Sequence, residues 1–356
     1  MKKLSTFILL ILGFSGLMAQ DFHYSQLYQA PLSLNPAMTG LHEDAYQVGA
    51  MYRNQYRSVI GAGAFQTWEL YGDYKVNCNK DDVLSLGSRI LVDRAGEAAY
   101  SHYQWDAMVS FQKLLTKYEN SKGAYSYNIG GGFQAGMIQR RISVTDLIFD
   151  DQWSETNGFG GIPNATNERI LNPSRWTWDI GTGFVFWGLF RDWAYNLGWS
   201  FQHLHRPDVG FFEEDVSLFN RHVVHFTLIP PNSAQAGKYF FSIVPQVAFM
   251  KQGPSAQYLA GLYLDMDANG VDADTYGFRI GGAMRMANRY DSAVSPDAVF
   301  VVIQTSYKRN TLGLSYDFNV SPLVNASSAR GSFEISYSFR AGKGKSATCF
   351  SCPSFY

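Results

Sequence analysis

Ser332-Phe333-Glu334-Ile335-Ser336-Tyr337-Ser338-Phe339 (SFEISYSF) alternates without a slip. On a strand, Phe333, Ile335, Tyr337 and Phe339 share one face and Ser332, Glu334, Ser336 and Ser338 the other. Thr311 to Phe318 repeats the pattern: Leu312, Leu314, Tyr316 and Phe318 oppose Thr311, Gly313, Ser315 and Asp317. A soluble strand rarely keeps so aromatic a face for solvent while burying Gly, Ser and acids. A membrane barrel, with lipid outside and a polar interior, asks for that division.

The rest of the chain agrees. Its 356 residues are 16% aromatic and include 33 Gly, a composition suited to a barrel of short alternating strands. Met1-Lys2-Lys3 and the apolar run Leu4–Met18, with Ala19 before the cut, read as a secretory signal peptide over 1–19. Past it, no apolar run approaches the roughly 18 residues of a transmembrane helix. Removing Lys2 and Lys3 from 29 basic residues leaves 27 against 30 acidic ones, a mature net charge of about −3. That balance gives no nucleic-acid footprint.

Residues 20–44 carry Pro31, Pro36 and Gly40 and lack alternation. They read as a lead segment folded against or into the barrel. From Ala45 the alternation predicts about fourteen strands: 45–57, 65–76, 83–93, 100–116, 125–139, 175–189, 193–204, 220–229, 239–250, 256–267, 274–286, 297–306, 310–318 and 330–340. The expected fold is therefore an all-β, antiparallel, outer-membrane-type barrel over 45–340, followed by a tail over 341–356. Twelve or sixteen strands fit almost as well, and a propeller or tandem sandwiches are the soluble rivals. With the N-terminus placed in the periplasm, odd connections face outward and include the long 140–174. Even ones are short turns. Residues 20–44 and the tail then share the periplasmic side.

Candidate chemistry is sparse. Cys349 and Cys352 form a C-x-x-C, with Cys78 the remaining cysteine. Four zinc ligands are not available, and an exported chain suggests a structural disulfide or tail thiols instead. Cys78, in the first periplasmic turn, lies on the tail's side and within reach of a bond to Cys349 or Cys352. Asp265 to Tyr276 imitates half a calcium loop, but Tyr276 stands where the bidentate Glu belongs; a hairpin turn at Asn269-Gly270 is the simpler reading. His203, His205, His222 and His225 read as solvated rim residues. Asp146, Asp150, Asp151 and Glu155 form no placed pair for a glycosidase. No catalytic residue, metal or cofactor is expected, and the chain reads as non-enzymatic. Trp68, Trp105, Trp153, Trp176, Trp178, Trp187, Trp193 and Trp199 gather near strand ends and loop entries, and an interfacial girdle accounts for most of them, with Trp153 and Phe159 in the long connection as a binding platform.

Several stretches resemble one family: Phe22 to Gly40 (FHYSQLYQAPLSLNPAMTG), Tyr52-Arg53-Asn54-Gln55-Tyr56, Phe65-Gln66-Thr67, Asp93-Arg94-Ala95-Gly96, Phe201 to Pro207, Leu312 to Ser321 and Ser351 to Phe355. Together, and in this order, they resemble the PorP/SprF family of type IX secretion membrane proteins. The tail departs from that family's C-P-R-F ending, carrying Ser354 and an extra Tyr356. The resemblance implies an integral outer-membrane barrel of the secretion and gliding apparatus. It would dock a secreted surface adhesin, periplasmic components of the machinery, or both, with outer-membrane lipid around it. Asn35, Pro36, Tyr52, Arg53, Asn54, Gln55, Trp153 and Phe159 are the candidate partner-binding residues. A transport channel for small solutes is the alternative.

Overall fold

The strands that the alternation predicts are present, and they close on themselves. The computed structural model describes residues 21–78, 82–96, 100–143, 147, 149, 152–153, 173–211, 216–231, 234–236, 239–268, 276–288 and 293–342. Of 62, 77, 78, 234–236, 239, 240, 267 and 268 it describes the backbone alone. The strands are β1 (Tyr46–Gln55), β2 (Phe65–Cys78), β3 (Asp82–Ala95), β4 (Tyr100–Asn120), β5 (Gly123–Arg141), β6 (Ser174–Phe190), β7 (Trp193–Gln202) and β8 (Arg221–Ile229). They continue as β9 (Ala234–Ala236), β10 (Tyr239–Gln252), β11 (Ser255–Ala268), β12 (Tyr276–Asn288), β13 (Val294–Tyr307), β14 (Asn310–Asn319) and β15 (Arg330–Ala341).

All pairings are antiparallel between neighbours in order, and β15 returns to β1 from Tyr46 opposite Ala341 to Gln55 opposite Ser332. The short β9 extends the line of β8 along β10. Between them Pro230 and Pro231 have no N–H to give the ladder. Fifteen segments thus make a closed barrel of fourteen staves. No helix among the described residues is long and apolar enough to cross a membrane.

Burial is inverted relative to a soluble protein. In β15, Phe333 and Tyr337 are exposed while Glu334 is 0% and Ser336 2% exposed. Leu312, Leu314, Tyr316 and Phe318 of β14 face out, and Ser315 and Asp317 are buried. The outside is an apolar belt suited to lipid.

The inside is filled. Residues 24–41 form a chain of short turns: 3₁₀ at Leu27–Gln29, one α turn at Pro31–Leu34 and 3₁₀ at Pro36–Met38. Every one of them is buried. The inner glycines of the wall are seats for this plug. A Cβ at Gly132 would lie 2.4 Å from Ala37 N, and one at Gly183 would lie 2.0 Å from Asn35 Oδ1. Gly132 and Gly183 face each other across β5 and β6, so Asn35-Pro36-Ala37 rests on a flat ledge. An apolar cluster completes the packing: Leu27, Tyr28, Leu34 and Met38 lie against inner Val223, Val244, Phe300 and Val302.

Two expectations change here. Residues 21–44 and the end of β15 do not share one side. Asp21 N donates to Gln252 Oε1 (2.9 Å) at the end carrying the long connections, whereas Ala45 N donates to Gly342 O (2.7 Å) at the opposite end. The lead segment threads the lumen from end to end because its polar groups find partners all along the wall. Second, Trp187 belongs to no girdle: it is 1% exposed and packs in the inner cluster, as its parity with inward Val185 requires.

Gly132→Ala, on the ledge, is expected to cost about 1–3 kcal/mol through overpacking, while Phe133→Leu on the lipid face costs less than about 1.5 kcal/mol. Urea unfolding in detergent, followed by the heat-modifiable gel shift of barrels, measures both; equal losses would contradict the ledge.

Candidate functional site

The lead segment forms only short turns, so the polar backbone groups that its own turn bonds leave over need partners from the wall. Glu334 accepts from Ser25 N (2.7 Å) and Gln26 N (2.8 Å). Tyr71 donates to Gln29 O (2.9 Å), Gln202 to Ser33 O (3.2 Å), Ser200 to Leu34 O (2.9 Å) and Ser110 to Thr39 O (2.5 Å). Asn35 caps its own turn, accepting from Ala37 N (2.9 Å) and donating to Phe184 O (3.0 Å).

Two serines of the segment sit inside buried charge clusters. Ser25 Oγ donates to Asp317 (2.7 Å) and accepts from Arg53 (3.0 Å) and Arg285 (3.2 Å). Arg53 is also paired with Glu334 and lies 3.4 Å from Asp317. Arg285 joins Asp317 (3.2 Å) to Asp297 (2.7 Å). Eight residues later, Ser33 Oγ donates to Glu69 (2.6 Å) and accepts from Arg89 (2.6 Å), itself paired with Asp106. At the far end His42 meets Asp73 (2.5 Å), and Lys75 donates to the His42 carbonyl. Interior charges in a membrane barrel are tolerated when paired in this way.

The candidate residues divide accordingly. Arg53 and Gln55 face the lumen, while Tyr52 and Asn54 face out. Asn54 donates to the Tyr52 hydroxyl (2.9 Å), and the Tyr52 ring lies 5.3 Å from that of Trp68. Asn35, Pro36 and Arg53 are buried, so they hold the plug and offer a partner no surface in this state. Trp153 is exposed. Phe159, Cys349 and Cys352 lie outside the described residues, as does the Cys78 side chain at the end of β2. Asn269 and Gly270 are likewise outside them; Asp265 of the calcium-like stretch is held by Arg279 (2.6 Å).

Two of the four histidines, His203 and His225, are not solvated rim residues, while His205 and His222 are part-exposed. His225 is buried against the Tyr28 ring and 3.3 Å from Asn35 Nδ2. His203, the first residue after β7, has Nε2 2.6 Å from Asp21 and Nδ1 2.9 Å from Asp179. Its φ of +57° ends the strand and turns the ring inward between these carboxylates. Sequence reasoning missed Ser25, Ser33, Glu69, Arg89, Asp106 and Glu334 as a set. Strand parity placed the wall residues inside, but their meeting depends on register.

Removing one partner of a buried pair strands the other. Arg53→Met and Glu334→Gln are each expected to destabilise the barrel by about 3–5 kcal/mol, and the double variant by less than their sum. Additive losses in a urea-unfolding cycle would show that the pair is not coupled.

Burial by itself lowers the pKa of His203, but Asp21 and Asp179 outweigh it and push it up to about 9. Burial raises that of Asp21, and the His203 charge pulls it below the ordinary carboxylate range. The folded His203 value exceeds the usual 6.5 or so, so its stabilisation is full below about pH 6.5 and lost as pH rises through about 9. Between about pH 7 and about pH 10 the parent's melting temperature should fall more than that of His203→Gln. Parallel pH profiles would count against the pairing.

The chain is similar to several solved structures. The Ralstonia pickettii toluene transporter TbuX is 10% identical, covering 88% of this chain and 94% of its own, with a TM-score of 0.45. CdiB from Escherichia coli is 8% identical, covering 82% and 63%, at 0.42. Acinetobacter baumannii Omp33 is 7% identical, covering 85% and 100%, at 0.38. A comparison with curated protein sequences returns no match. The family description "Type IX secretion system membrane protein PorP/SprF" matches residues 17–339, ending at Phe339 of β15. With nearly the whole barrel and its plug inside that match, the chain belongs to the PorP/SprF family of type IX secretion membrane proteins.

Proposed function

We propose that this barrel is a plugged docking scaffold at the outer membrane. It holds a secreted surface adhesin at the end carrying the long connections and periplasmic components of the secretion apparatus at the other. One observation carries this reading: the lumen is occupied by the barrel's own residues 24–41, anchored at Ser25, Ser33 and His42. A wall that spends its interior polar groups on an internal segment is built for rigidity, and a rigid base suits docking. The apolar belt fixes the position of both rims relative to lipid. On this reading the long-connection end faces outward. Trp153, Tyr52 with its Trp68 neighbour, and the start of the lead segment lie toward that rim, while Gly342, just after β15, lies at the periplasmic rim. Docking is the whole of the activity proposed, with no chemical step.

Purification from outer membranes in mild detergent is expected to recover an adhesin or a machinery component with the barrel. In planar bilayers the same preparation should conduct little. Recovery of the barrel alone, with adhesin secretion intact in a deletion strain, would overturn the docking reading. Steady ion conductance by the intact chain would favour a small-solute channel instead.

A further inference from the structure

Above the plug, at the long-connection end, the lumen opens into a cavity of about 480 Å³. Asp21, Phe22, His23, Phe65, Tyr100 and Arg140 are among the residues lining it. Its volume lies in the roughly 300–1,000 Å³ range of small-ligand sites. Cross-strand register arranges its polar wall in one row. Glu334 stands opposite Arg53, Arg53 opposite Thr67, Thr67 opposite Asp93, Asp93 opposite His102, His102 opposite Arg140, and Arg140 opposite Arg175.

Charge along this row is settled except at one point. Arg53 is paired with Glu334, and Arg175 with Asp208. Asp93 accepts from Thr67 (2.6 Å) and lies two strand spacings from Arg140, roughly 10 Å away. His102 leans on Gln104 (3.3 Å). Arg140 is 6% exposed, its Nε has no hydrogen-bond partner, and among the described residues it makes no ion pair. Its neighbour in register across β5 and β6 is another cation. A buried guanidinium left without an acceptor is costly, and its planar fork matches a carboxylate.

We propose that this mouth cavity is a binding site for a carboxylate carried on an apolar or aromatic group. Arg140 takes the carboxylate through its free N–H groups. Phe22, Phe65 and Tyr100 provide apolar and aromatic surface for the attached group. One uncommitted cation suits a monoanion; a phosphate dianion would need a second, and Arg175 is already held. The carboxylate reaches the site from outside, because the plug closes the cavity from below. It belongs either to a small acid or to the end of a polypeptide. The site does not depend on the docking reading, since it needs only the open mouth.

The test uses the purified full-length barrel in detergent and isothermal titration with 3-phenylpropionate, the peptide Gly-Gly-Phe, and the amide of each. At least one free acid is expected to bind, with its amide bound at least tenfold more weakly. Arg140→Gln should reduce the acid's affinity at least tenfold and leave the amide's unchanged, whereas Arg141→Gln, on the exposed face, should change neither. Preference for the peptide acid identifies a chain end as the ligand, and preference for 3-phenylpropionate a small acid. The proposal is overturned if neither acid binds, if acid and amide bind alike, or if Arg140→Gln binds the acid undiminished. The acid–amide comparison on the unaltered protein decides the matter even if the variant fails to fold.

Discussion

Charge inside a closed barrel has nowhere to go except onto other groups inside it, and this constraint organises the molecule. Arg53, Arg285, Arg89, Glu334, Asp317, Glu69 and Asp106 all project inward from different strands. None is tolerable alone in so enclosed a space. Ser25 and Ser33 stitch these pairs together through hydroxyls that donate to a carboxylate and accept from a guanidinium at once. The plug therefore completes the wall's electrostatics and does more than fill its volume. Without it, the wall would need water at every one of these points.

The lumen is also divided into sectors. The ion pairs around Ser25 and Ser33 come from β14, β15 and β1 to β4, joined by Arg285 of β12 and Asp297 of β13, whereas Val223, Val244, Ala248, Phe300 and Val302 come from β8, β10 and β13. The lead segment follows suit, turning Ser25, Gln26 and Ser33 to the first sector and Leu27, Tyr28 and Leu34 to the second. Burying each of those apolar side chains contributes about 1.5–3 kcal/mol. Matching two faces in this way fixes the rotation of the plug, which charge pairing alone would leave loosely set.

Strand parity made most of the fold legible. Period-2 alternation is local, and both faces of SFEISYSF are used as the pattern implies. The break at Pro230-Pro231 added a short fifteenth segment without adding a stave. What parity could not supply was register. Arg53 and Glu334 meet across 281 positions, and no local pattern announces such a pair. Trp187 was misplaced by weighing its nearness to a strand end above its parity, and parity was the stronger rule. His203 and His225 were misread because burial by a plug is invisible to a rule that knows only strands and loops. Asn35-Pro36-Ala37 was conspicuous as a motif, but its seat on Gly132 and Gly183 needs three segments in place together.

The seam between β1 and β15 is fastened by the same residues that hold the plug. The contact from Ser25 N to Glu334 spans 309 residues. The other ladders join staves that are neighbours in sequence, so this seam carries the contacts of highest separation, the kind that form slowly. Glu334 joins both roles in one side chain: it holds Arg53 across the closing seam and accepts from the Ser25 and Gln26 amides of the plug. Ring closure and plug retention are thereby thermodynamically linked, because losing this one carboxylate loosens the seam and the plug together.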